Sequence, residues 1–471
     1  MPEINTAELR PGWIPDAKSI YNGLDCCVTM EVFEEISRLT NEEPVIYGFE
    51  RALQAPILDI MLRGFLVDPY ERQKGIAETQ RKIEILRDHL DAMAFAVWDR
   101  PLNPRSPKQL QEFFYGAMRI PEIWTSQKGR KVLSMNRETL EKIDVYFHAM
   151  PIVACILAIR DQAKQLEVLT TEIDADGRWR TAYNIGGTNT GRLSSSASST
   201  GTGSNTQNVK PSLRRIFQSD PGWKLCGIDL EQTESRDVGL LCGMLFGDWS
   251  YLDACEGGDL HTTTCRLIWP GLPWPGGKGD RELADEPFYR HYSRRDMSKR
   301  GGHGSNYMGT PFTMARHLKV PVKLMVDFQS AYFSAFPCIP RYHRWCAEQI
   351  QTTFKITTPF GRERHFFGRT RDDTTLREAI AYSPQSMTAD RMNLGMWRVW
   401  DKMSGQVQLL AQVHDAIYFQ YPESADEGAI IDAVLKLLRV PLRDPKTGRE
   451  VVVPGEAKVG WNWGNHHNPA K

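Results

Sequence analysis

Two aspartates could together carry chemistry that neither could carry alone. Asp229 ends an apolar run, and Asp415 lies midway through the run LLAQVHDAIYF, where a hairpin turn would bring it beside Asp229. Two carboxylates can hold a pair of Mg²⁺ ions about 3.5–4 Å apart, which stabilise the attacking and leaving oxygens of phosphoryl transfer. Mg²⁺ prefers hard oxygen ligands and retains several waters, so two aspartates plus substrate phosphates are sufficient. Singly, each aspartate is more simply a strand-end or turn residue; the pair predicts a two-metal site, with Mn²⁺ as a possible substitute.

A basic segment between these aspartates repeats at helical spacing. Its members are Arg295, Lys299, His303 and Tyr307. Residues four apart drift slowly around a helix, so the side chains would form one spiralling stripe. A guanidinium fork and an ammonium group one turn apart suit phosphate oxygens, and the histidine and tyrosine could pack against a base and sugar. A solvated basic face is the usual alternative. Because each interior glycine costs a helix about 1 kcal/mol, Gly301, Gly302 and Gly304 favour a backbone that a substrate approaches closely.

Bulk composition restricts the class of protein. A chain of 471 residues is too long for one compact core, and roughly 150 residues per domain predicts about three subdomains. Lys+Arg and Asp+Glu both number 58, so nucleic-acid binding would have to rest on local basic clusters facing acidic metal ligands. Nine cysteines without a CxxC pair suit a reduced cytosolic protein and offer no zinc framework. With no signal core and no apolar stretch of the roughly 20 residues that a membrane span needs, we expect a cytoplasmic protein without membrane contact.

Hydrophobic periodicity predicts the elements that would position these residues. The expected helices are Tyr21–Leu39, Glu50–Arg63, Tyr70–Trp98, Pro151–Leu169 and Ser386–Asp401; the expected strands or hairpins are Trp223–Ile228, Thr357–Phe367 and Val407–Tyr421. The helices Tyr70–Trp98 and Pro151–Leu169 could pair as an antiparallel arm. Residues 186–208 are rich in Gly, Ser, Thr and Asn, and on composition they predict a flexible linker.

Several short motifs occur in the order found in one polymerase family. The three strongest are Asp229–Arg236 (DLEQTESR), Arg295–Lys299 (RDMSK) with Gly304 and Tyr307, and Gln412–Asp415 (QVHD). The weaker segments are Ser106–Leu110, Thr190–Ser195 with Asn205–Asn208, Gly361–Arg364, and Arg377 with Gln385 and Asp390. Through these motifs, much of the chain resembles family A DNA polymerases, the bacterial DNA polymerase I type with its phage and mitochondrial relatives.

The resemblance implies an α+β fold shaped as a right hand, with an antiparallel sheet in the palm and helical fingers and thumb. The implied boundaries are an exonuclease-like remnant at 1–45, the thumb and its base at 46–180, the palm at 181–255 and 350–471, and the fingers at 256–349. The implied function is template-directed DNA synthesis, in which a primer 3′-hydroxyl is extended with dNTPs. Phage DNA replication is the expected setting.

The resemblance also implies roles for individual residues. Asp229 and Asp415 would bind the metals, and Lys299 would contact the triphosphate and donate a proton to the leaving pyrophosphate. Glu234 matches the family's steric gate, which selects deoxynucleotides by leaving no room for a 2′-hydroxyl. The other residues implied at the dNTP are Arg295, Gln232, His303 and Tyr307, and those implied at primer–template DNA are Arg192, Arg377, Gln385, His414 and Asn208. The sequence departs from the family at His303, where Phe or Tyr is usual.

The N-terminal residues suggest a missing activity. Tyr21–Asp25, followed by Val28 and Thr29, resembles the last motif of the family's proofreading exonuclease. The other carboxylates of that two-metal nuclease would lie upstream of Met1, so we expect proofreading to be absent or to reside on a separate partner chain. A processivity factor is a further possible partner. An ordinary helix is the alternative interpretation of the motif.

Other functions remain open from the sequence. A single-subunit RNA polymerase shares a palm with two aspartates and a fingers lysine and tyrosine, but Glu234 and the Thr190–Ser195 segment favour the DNA enzyme. A non-catalytic DNA-binding subunit on a polymerase-like scaffold would have no need of Asp229, Lys299 and Asp415. A metal-dependent phosphohydrolase is disfavoured because the sequence lacks a clustered His/Asp ligand set.

Overall fold

The computed structural model describes residues 16–39, 45–127 and 130–464. Packing divides the chain into a unit of residues 1–52 and a unit of residues 53–471. In the first unit, Tyr21 and Asp25 lie on the predicted helix, and Tyr21 is exposed; the exonuclease origin of this motif stays a prediction. No helix in the described ranges combines the length and the apolar character that a membrane span requires.

More of the described residues lie in helices than in strands. In chain order the helices are α1 (Ala17–Leu39), α2 (Val45–Arg63), α3 (Pro69–Trp98), α4 (Pro107–Gln111), α5 (Arg137–Ile143), α6 (Met150–Thr170), α7 (Thr233–Phe246), α8 (Ser250–Glu256), α9 (Leu260–Ile268), α10 (Lys278–Asp285), α11 (Arg294–Asn306), α12 (Pro311–Leu318), α13 (Val322–Ala335), α14 (Cys338–Thr352), α15 (Asp373–Met403) and α16 (Glu427–Leu438). The strands are β1 (Phe65–Val67), β2 (Trp124–Gln127), β3 (Arg130–Leu133), β4 (Arg178–Trp179), β5 (Thr181–Asn184), β6 (Ser194–Ala197), β7 (Phe217–Gln218), β8 (Trp223–Leu230), β9 (Pro287–Tyr289), β10 (Tyr292–Ser293), β11 (Lys355–Thr357), β12 (Glu363–His365), β13 (Gln408–Val413), β14 (Ala416–Pro422), β15 (Leu442–Arg443), β16 (Glu450–Val451) and β17 (Gly455–Gly460).

Helices α3 and α6 pack antiparallel, which confirms the arm predicted from their periodicity. The side chain of Asp68 caps α3 by accepting hydrogen bonds from two backbone N–H groups of its first turn. Near the start of α3, Gly75 lies against the side chain of Leu169 near the end of α6. Further along α3, the carbonyl of Leu86 accepts a hydrogen bond from the thiol of Cys155 at 3.0 Å. The contacts therefore run in opposite directions along the two helices.

The four-stranded sheet β13-β14-β8-β17 supports the two aspartates. Its neighbouring strands are antiparallel, and the predicted strand and hairpin correspond to β8 and to β13–β14. In this register Asp229 lies between Ala416 on β14 and Glu456 on β17. A Cβ on Gly227 would come within 2.6 Å of the Tyr418 ring, so glycine lets this ring lie flat over β8. The strands lie within the ranges predicted for the palm, whose boundaries stay a prediction.

The C-terminal end of α11 is anchored by Asn306. Its Nδ2 donates a hydrogen bond to the Tyr251 hydroxyl on α8, and its Oδ1 accepts one from the Tyr332 hydroxyl on α13, both at 2.8 Å. Its carbonyl oxygen lies 2.8 Å from Nε2 of His343 on α14. One residue thus ties α11 to three neighbouring helices, and this fixes the helix that carries the predicted basic stripe.

The glycines of α11 are explained mainly by packing. A Cβ on Gly301 would come within 2.5 Å of the Phe328 ring, and one on Gly304 within 2.6 Å of the Met314 sulfur. For these two positions the expected approach of a substrate is wrong, because neighbouring side chains fill the space. Gly302 differs, since it also borders the cleft described below.

Residues 186–208 are not the flexible linker that their composition predicts. Ser194–Ala197 form β6, which pairs with β5 over its whole length. The hydroxyl of Ser195 donates to Oδ1 of Asn205 at 2.6 Å, and Nε2 of Gln207 donates to the carbonyl of Leu193 at 3.2 Å. Short hydroxyl and amide side chains can satisfy backbone and side-chain partners locally. Here these hydrogen bonds keep the segment ordered, which its composition alone does not predict.

We expect breaking the buried ion pair between α7 and α15 to cost much more stability than breaking an exposed ion pair. Asp237 and Arg391 are fully buried, with 2.7 Å between Oδ1 and Nη2. Asp237→Ala should lower the free energy of unfolding by about 3–5 kcal/mol, because Arg391 would remain as an uncompensated buried charge. Asp373→Ala removes the exposed partner of Arg377 on the same helix and should cost less than about 1 kcal/mol. Denaturant unfolding measures both; similar costs for the two variants would contradict this expectation.

Candidate active site

The structure brings Asp229 and Asp415 side by side. Asp229 is the penultimate residue of β8, and Asp415 lies in the turn between β13 and β14. The backbone N–H of Leu230 donates to the carbonyl of Asp415 at 3.0 Å, so the turn is fixed to the end of β8. His414 adopts a left-handed φ of 57°, and its carbonyl accepts a hydrogen bond from Nε2 of Gln412 at 2.6 Å. The hairpin turn predicted from sequence therefore has the geometry that pairs the aspartates.

The two carboxylates are electrostatically coupled. Burial and the negative charge of Asp415 raise the pKa of Asp229 to about 7, with a further contribution from Glu456 and opposition from Lys458. Burial, together with the charge of Glu234, also raises the pKa of Asp415. Two carboxylates this close resist being ionised together without a nearby cation.

These carboxylates fit a divalent-cation site with few protein ligands. Their oxygens are hard donors, and their raised pKa values indicate negative charge that the protein leaves uncompensated. Within the described ranges, no group of three or more His, Cys, Asp or Glu side chains is arranged to hold a metal ion. Asp229 and Asp415 would thus need further oxygen ligands, from water, a bound substrate or backbone carbonyls, to hold such an ion.

A cleft of about 680 Å³ opens between these carboxylates and the face of α11. Its lining includes the predicted residues Asp229, Gln232, Glu234, Lys299, His303 and Asp415. Carboxylates come from the β8–α7 segment and the β13–β14 turn, and the ammonium group of Lys299 comes from α11, on which His303 is also exposed. The cleft thus has an acidic wall facing a basic wall, an arrangement that suits a metal-bound polyanion.

Glu234 holds two other predicted residues. The hydroxyl of Tyr307 donates to its Oε2 at 2.6 Å, and the guanidinium of Arg192 donates to its Oε1. Burial and the Glu234 carboxylate raise the pKa of Tyr307 well above its ordinary value, so this hydroxyl remains a donor. The ring of His303 packs edge-on against Tyr307, with 4.9 Å between centroids. The structure therefore joins a residue predicted at DNA to residues predicted at the nucleotide.

Part of the predicted basic stripe is already paired with a carboxylate. Arg295 makes a two-pronged contact with Asp259, with Nε–Oδ2 and Nη2–Oδ1 distances of 2.6 and 3.1 Å. Burial opposes the ionisation of Asp259, yet hydrogen bonds from Arg295 and Thr262 lower its pKa to about 2. The charge of Arg295 is accordingly balanced by Asp259, the residue before α9. Lys299, in contrast, remains open to the cleft.

Sequence reasoning missed His261, which lines the cleft beside α11. Burial lowers the pKa of His261 to about 4, and the charges of Arg295, Lys299 and His303 act in the same direction, against the attraction of Asp259. The imidazole is consequently neutral near pH 7. A single histidine at the start of a helix has no periodic pattern that would distinguish it from an ordinary surface residue.

The remaining residues predicted at DNA occupy several elements. His414 is exposed in the turn beside Asp415, and Asn208 is exposed at the end of a 3₁₀ turn, Thr206–Asn208. Arg377 and Gln385 lie on α15; Gln385 is half-buried, and Arg377 is 3.6 Å from Asp373.

Comparisons with known proteins agree on one family. A model described as DNA polymerase family A matches residues 73–465. DNA polymerase I of Chloroflexus aurantiacus is 27% identical, over 94% of this chain and 46% of that protein, and the thermostable DNA polymerase I of Thermus aquaticus is 28% identical, over 90% and 49%. The chain spans about half the length of the curated relatives it matches.

A solved structure shows the same architecture. The POL domain of Pol1 from M. smegmatis, in complex with DNA primer-template and dNTP, superposes with a TM-score of 0.71 at 22% identity, covering 88% of this chain and 70% of that chain. This likeness confirms the predicted α+β right-hand fold.

We expect the pairing of Asp229 with Asp415 to make the metal-free protein less stable as pH rises. The folded state holds a proton at Asp229 up to about pH 7, whereas the ordinary pKa is 3.8, so stability falls between these values. Asp229→Asn should therefore melt at a higher temperature than wild type in EDTA at pH 8, with a difference that shrinks towards pH 4. Mg²⁺ at pH 8 should raise the wild-type melting temperature more than that of the variant.

The matched control is Asp432→Asn, which changes an exposed aspartate on α16. Its melting profile should follow the wild-type profile over the whole pH range, with and without Mg²⁺. A lower melting temperature for Asp229→Asn than for wild type at pH 8 in EDTA would contradict the proposed repulsion.

Proposed function

The chain belongs to DNA polymerase family A, and from that premise we propose that it is a DNA-directed DNA polymerase. It extends the 3′-hydroxyl of a primer with dNTPs on a DNA template. This proposal rests on one observation: Asp229, Asp415 and Lys299 line the same cleft, in which the aspartates face the lysine. Phosphoryl transfer requires little covalent chemistry from a protein, and its needs are positioning and charge stabilisation.

Family A DNA polymerases depend in general on divalent metal ions. We assign two Mg²⁺ ions, replaceable by Mn²⁺, to Asp229 and Asp415. When bound, the ions supply positive charge to the attacking and leaving oxygens. The raised pKa values of both aspartates support this assignment, since cations would relieve the repulsion between them.

Residues of α11 and α9 would bind the triphosphate. Lys299 is exposed in the cleft and would contact phosphate oxygens, then donate a proton to the leaving pyrophosphate. Arg295 would have to exchange the carboxylate of Asp259 for a phosphate, which offers its guanidinium an equally good two-pronged partner. His261, neutral and next to Lys299, would supply a hydrogen bond without adding charge.

Glu234 would lie at the nucleotide sugar and select deoxyribose. Its carboxylate is fixed by Tyr307 and Arg192, so its position in the cleft is rigid. A rigid carboxylate at the sugar would exclude a 2′-hydroxyl. Gln232, on the same wall, and His303, on the opposite wall, complete the nucleotide site.

Donors around this site would contact the primer–template. We assign Arg192, Arg377, Gln385, His414 and Asn208 to the DNA. Purine N3 and pyrimidine O2 are minor-groove acceptors in every correct pair, so donors there test pair geometry without reading sequence. A cytoplasmic setting, a role in phage replication and a partner exonuclease or processivity chain stay predictions.

Primer extension tests the reaction directly. With primed template, Mg²⁺ and dNTPs, the chain should add nucleotides, and Asp229→Ala and Asp415→Ala should each lower the rate by roughly a thousandfold or more, because the loss of charge stabilisation amounts to several kcal/mol. Asp432→Ala should match wild type. Extension with rNTPs in preference to dNTPs would favour an RNA polymerase, and full activity in both cleft variants would refute the site.

Glu234 should determine sugar selection. Glu234→Ala opens space beside the sugar, so the ratio of rNTP to dNTP incorporation should rise by at least about tenfold, read as separate kcat/KM values. Glu256→Ala is a suitable control because Glu256, on α8, contacts Arg449 away from the cleft. An unchanged ratio in Glu234→Ala would contradict the steric assignment.

A further inference from the structure

The loop after β12 carries an unusually exposed aromatic ring. The side chain of Phe367 is 91% exposed, more than any other large apolar side chain in the described part of the chain. Its ring stacks on that of His365, with 5.7 Å between centroids and 10° between planes. The two stacked rings form a platform that is open to solvent.

The backbone next to the platform is anchored by Phe366. The side chain of Phe366, between the two rings, points into the core and is 4% exposed, where it packs edge-on against Tyr382. The backbone N–H of Phe366 donates to the carbonyl of Phe354 at 2.8 Å. The backbone that carries Phe367 would therefore lose little further freedom when a ligand stacks on the ring, which favours binding.

The surroundings of the platform are basic. Residues 355–373 contain Lys or Arg at positions 355, 362, 364, 369 and 371, against acidic residues at 363, 372 and 373. Arg369 and Arg371 are exposed, and neither has an ion pair among the described residues. Lys355 and Arg364, by contrast, are paired with Glu363 and Glu378. We call Phe367, His365, Arg369 and Arg371 the Phe367 surface.

This surface is connected to the cleft through buried contacts. Arg362, in the turn of the β11–β12 hairpin, pairs with Asp390 at 2.8 Å. Its guanidinium lies directly against Gly191, where a Cβ would come within 2.6 Å of it. The next residue, Arg192, bonds to Glu234. A continuous series of contacts therefore joins the β11–β12 hairpin to Glu234, which we place at the nucleotide sugar.

We propose that the Phe367 surface binds the unpaired template strand ahead of the primer end. A base stacks on Phe367, and Arg369 and Arg371 contact the flanking phosphates. Exposed aromatic rings beside cations are the usual means of binding single-stranded nucleic acid, because every base has a π-face and every linkage a charge. The inference rests on the proposed function, since that reaction presents a single strand beyond every primer end.

Fluorescence anisotropy without dNTPs tests the inference. Two primer–templates are compared: one with a template overhang of about ten nucleotides, within the range of single-strand sites, and one with a single-nucleotide overhang. Phe367→Ala should weaken binding of the long-overhang substrate by at least about fivefold, the effect of losing one stacked base. Binding of the short-overhang substrate should be unchanged. Phe367→Trp should restore the affinity.

The matched control is Phe147→Ala, which removes a ring that is 86% exposed elsewhere on the chain and should alter neither affinity. The Arg369→Ala/Arg371→Ala variant should reduce the slope of log K against log salt by about 1.4 for the long overhang, or about 0.7 per phosphate. Equal affinities of wild type and Phe367→Ala for the long overhang would overturn the proposal. So would a loss common to both substrates, since that would indicate a general structural effect.

Two further measurements distinguish binding of the template strand from the alternatives. A gapped duplex with a displaced non-template flap is compared with the template overhang; a Phe367→Ala effect confined to the flap would overturn the template assignment. Extension by the wild-type chain on the short-overhang substrate tests the proposed function separately. If that extension fails, the polymerase proposal fails, while the anisotropy comparison still decides whether the surface binds single-stranded DNA.

Discussion

Repulsion between two neighbouring carboxylates is the constraint on which the rest of the site depends. Asp229 and Asp415 would separate if they were free to move, and the antiparallel register of β8 and β14 prevents this. Asp229 is opposite Ala416, and the backbone bond from Leu230 to Asp415 closes the turn. Glycine at position 227 leaves room for the ring of Tyr418, its partner on β14. The sheet thus stores unfavourable charge at one position, and a cation can relieve it.

The basic wall is controlled in a different way. On α11, the guanidinium of Arg295 is already paired with the carboxylate of Asp259, whereas Lys299 stays open to the cleft. Since Asn306 fixes the end of α11 to three helices, Arg295 can exchange its partner without the helix losing its anchor. At Arg295, substrate binding would then replace an existing ion pair and would not have to order a free side chain, which limits its entropic cost.

Sequence predicted most of the long elements and the main pair of the site, for physical reasons that the structure makes clear. Helices α3 and α6 and strand β8 carry strong periodicity or continuous burial, and the turn at Asp415 follows from apolar runs on both sides. Contacts between residues far apart in the chain could not be predicted from the sequence. Asp259 and Arg295 are 36 positions apart, and His261 belongs to no periodic pattern. Helix α15 begins at Asp373, well before the predicted start, and runs through Pro384. A proline removes one backbone hydrogen bond, and burial of this helix evidently compensates.

Gly191 illustrates how little freedom such a linked structure leaves to mutation. Its φ of 77° disfavours every residue with a side chain, and the guanidinium of Arg362 fills the space where that side chain would begin. Its carbonyl also accepts a hydrogen bond from the buried Asn393. Single-base changes at this codon would therefore be removed by selection almost regardless of which amino acid they introduce. In a saturation library, surviving clones should retain the parental residue here.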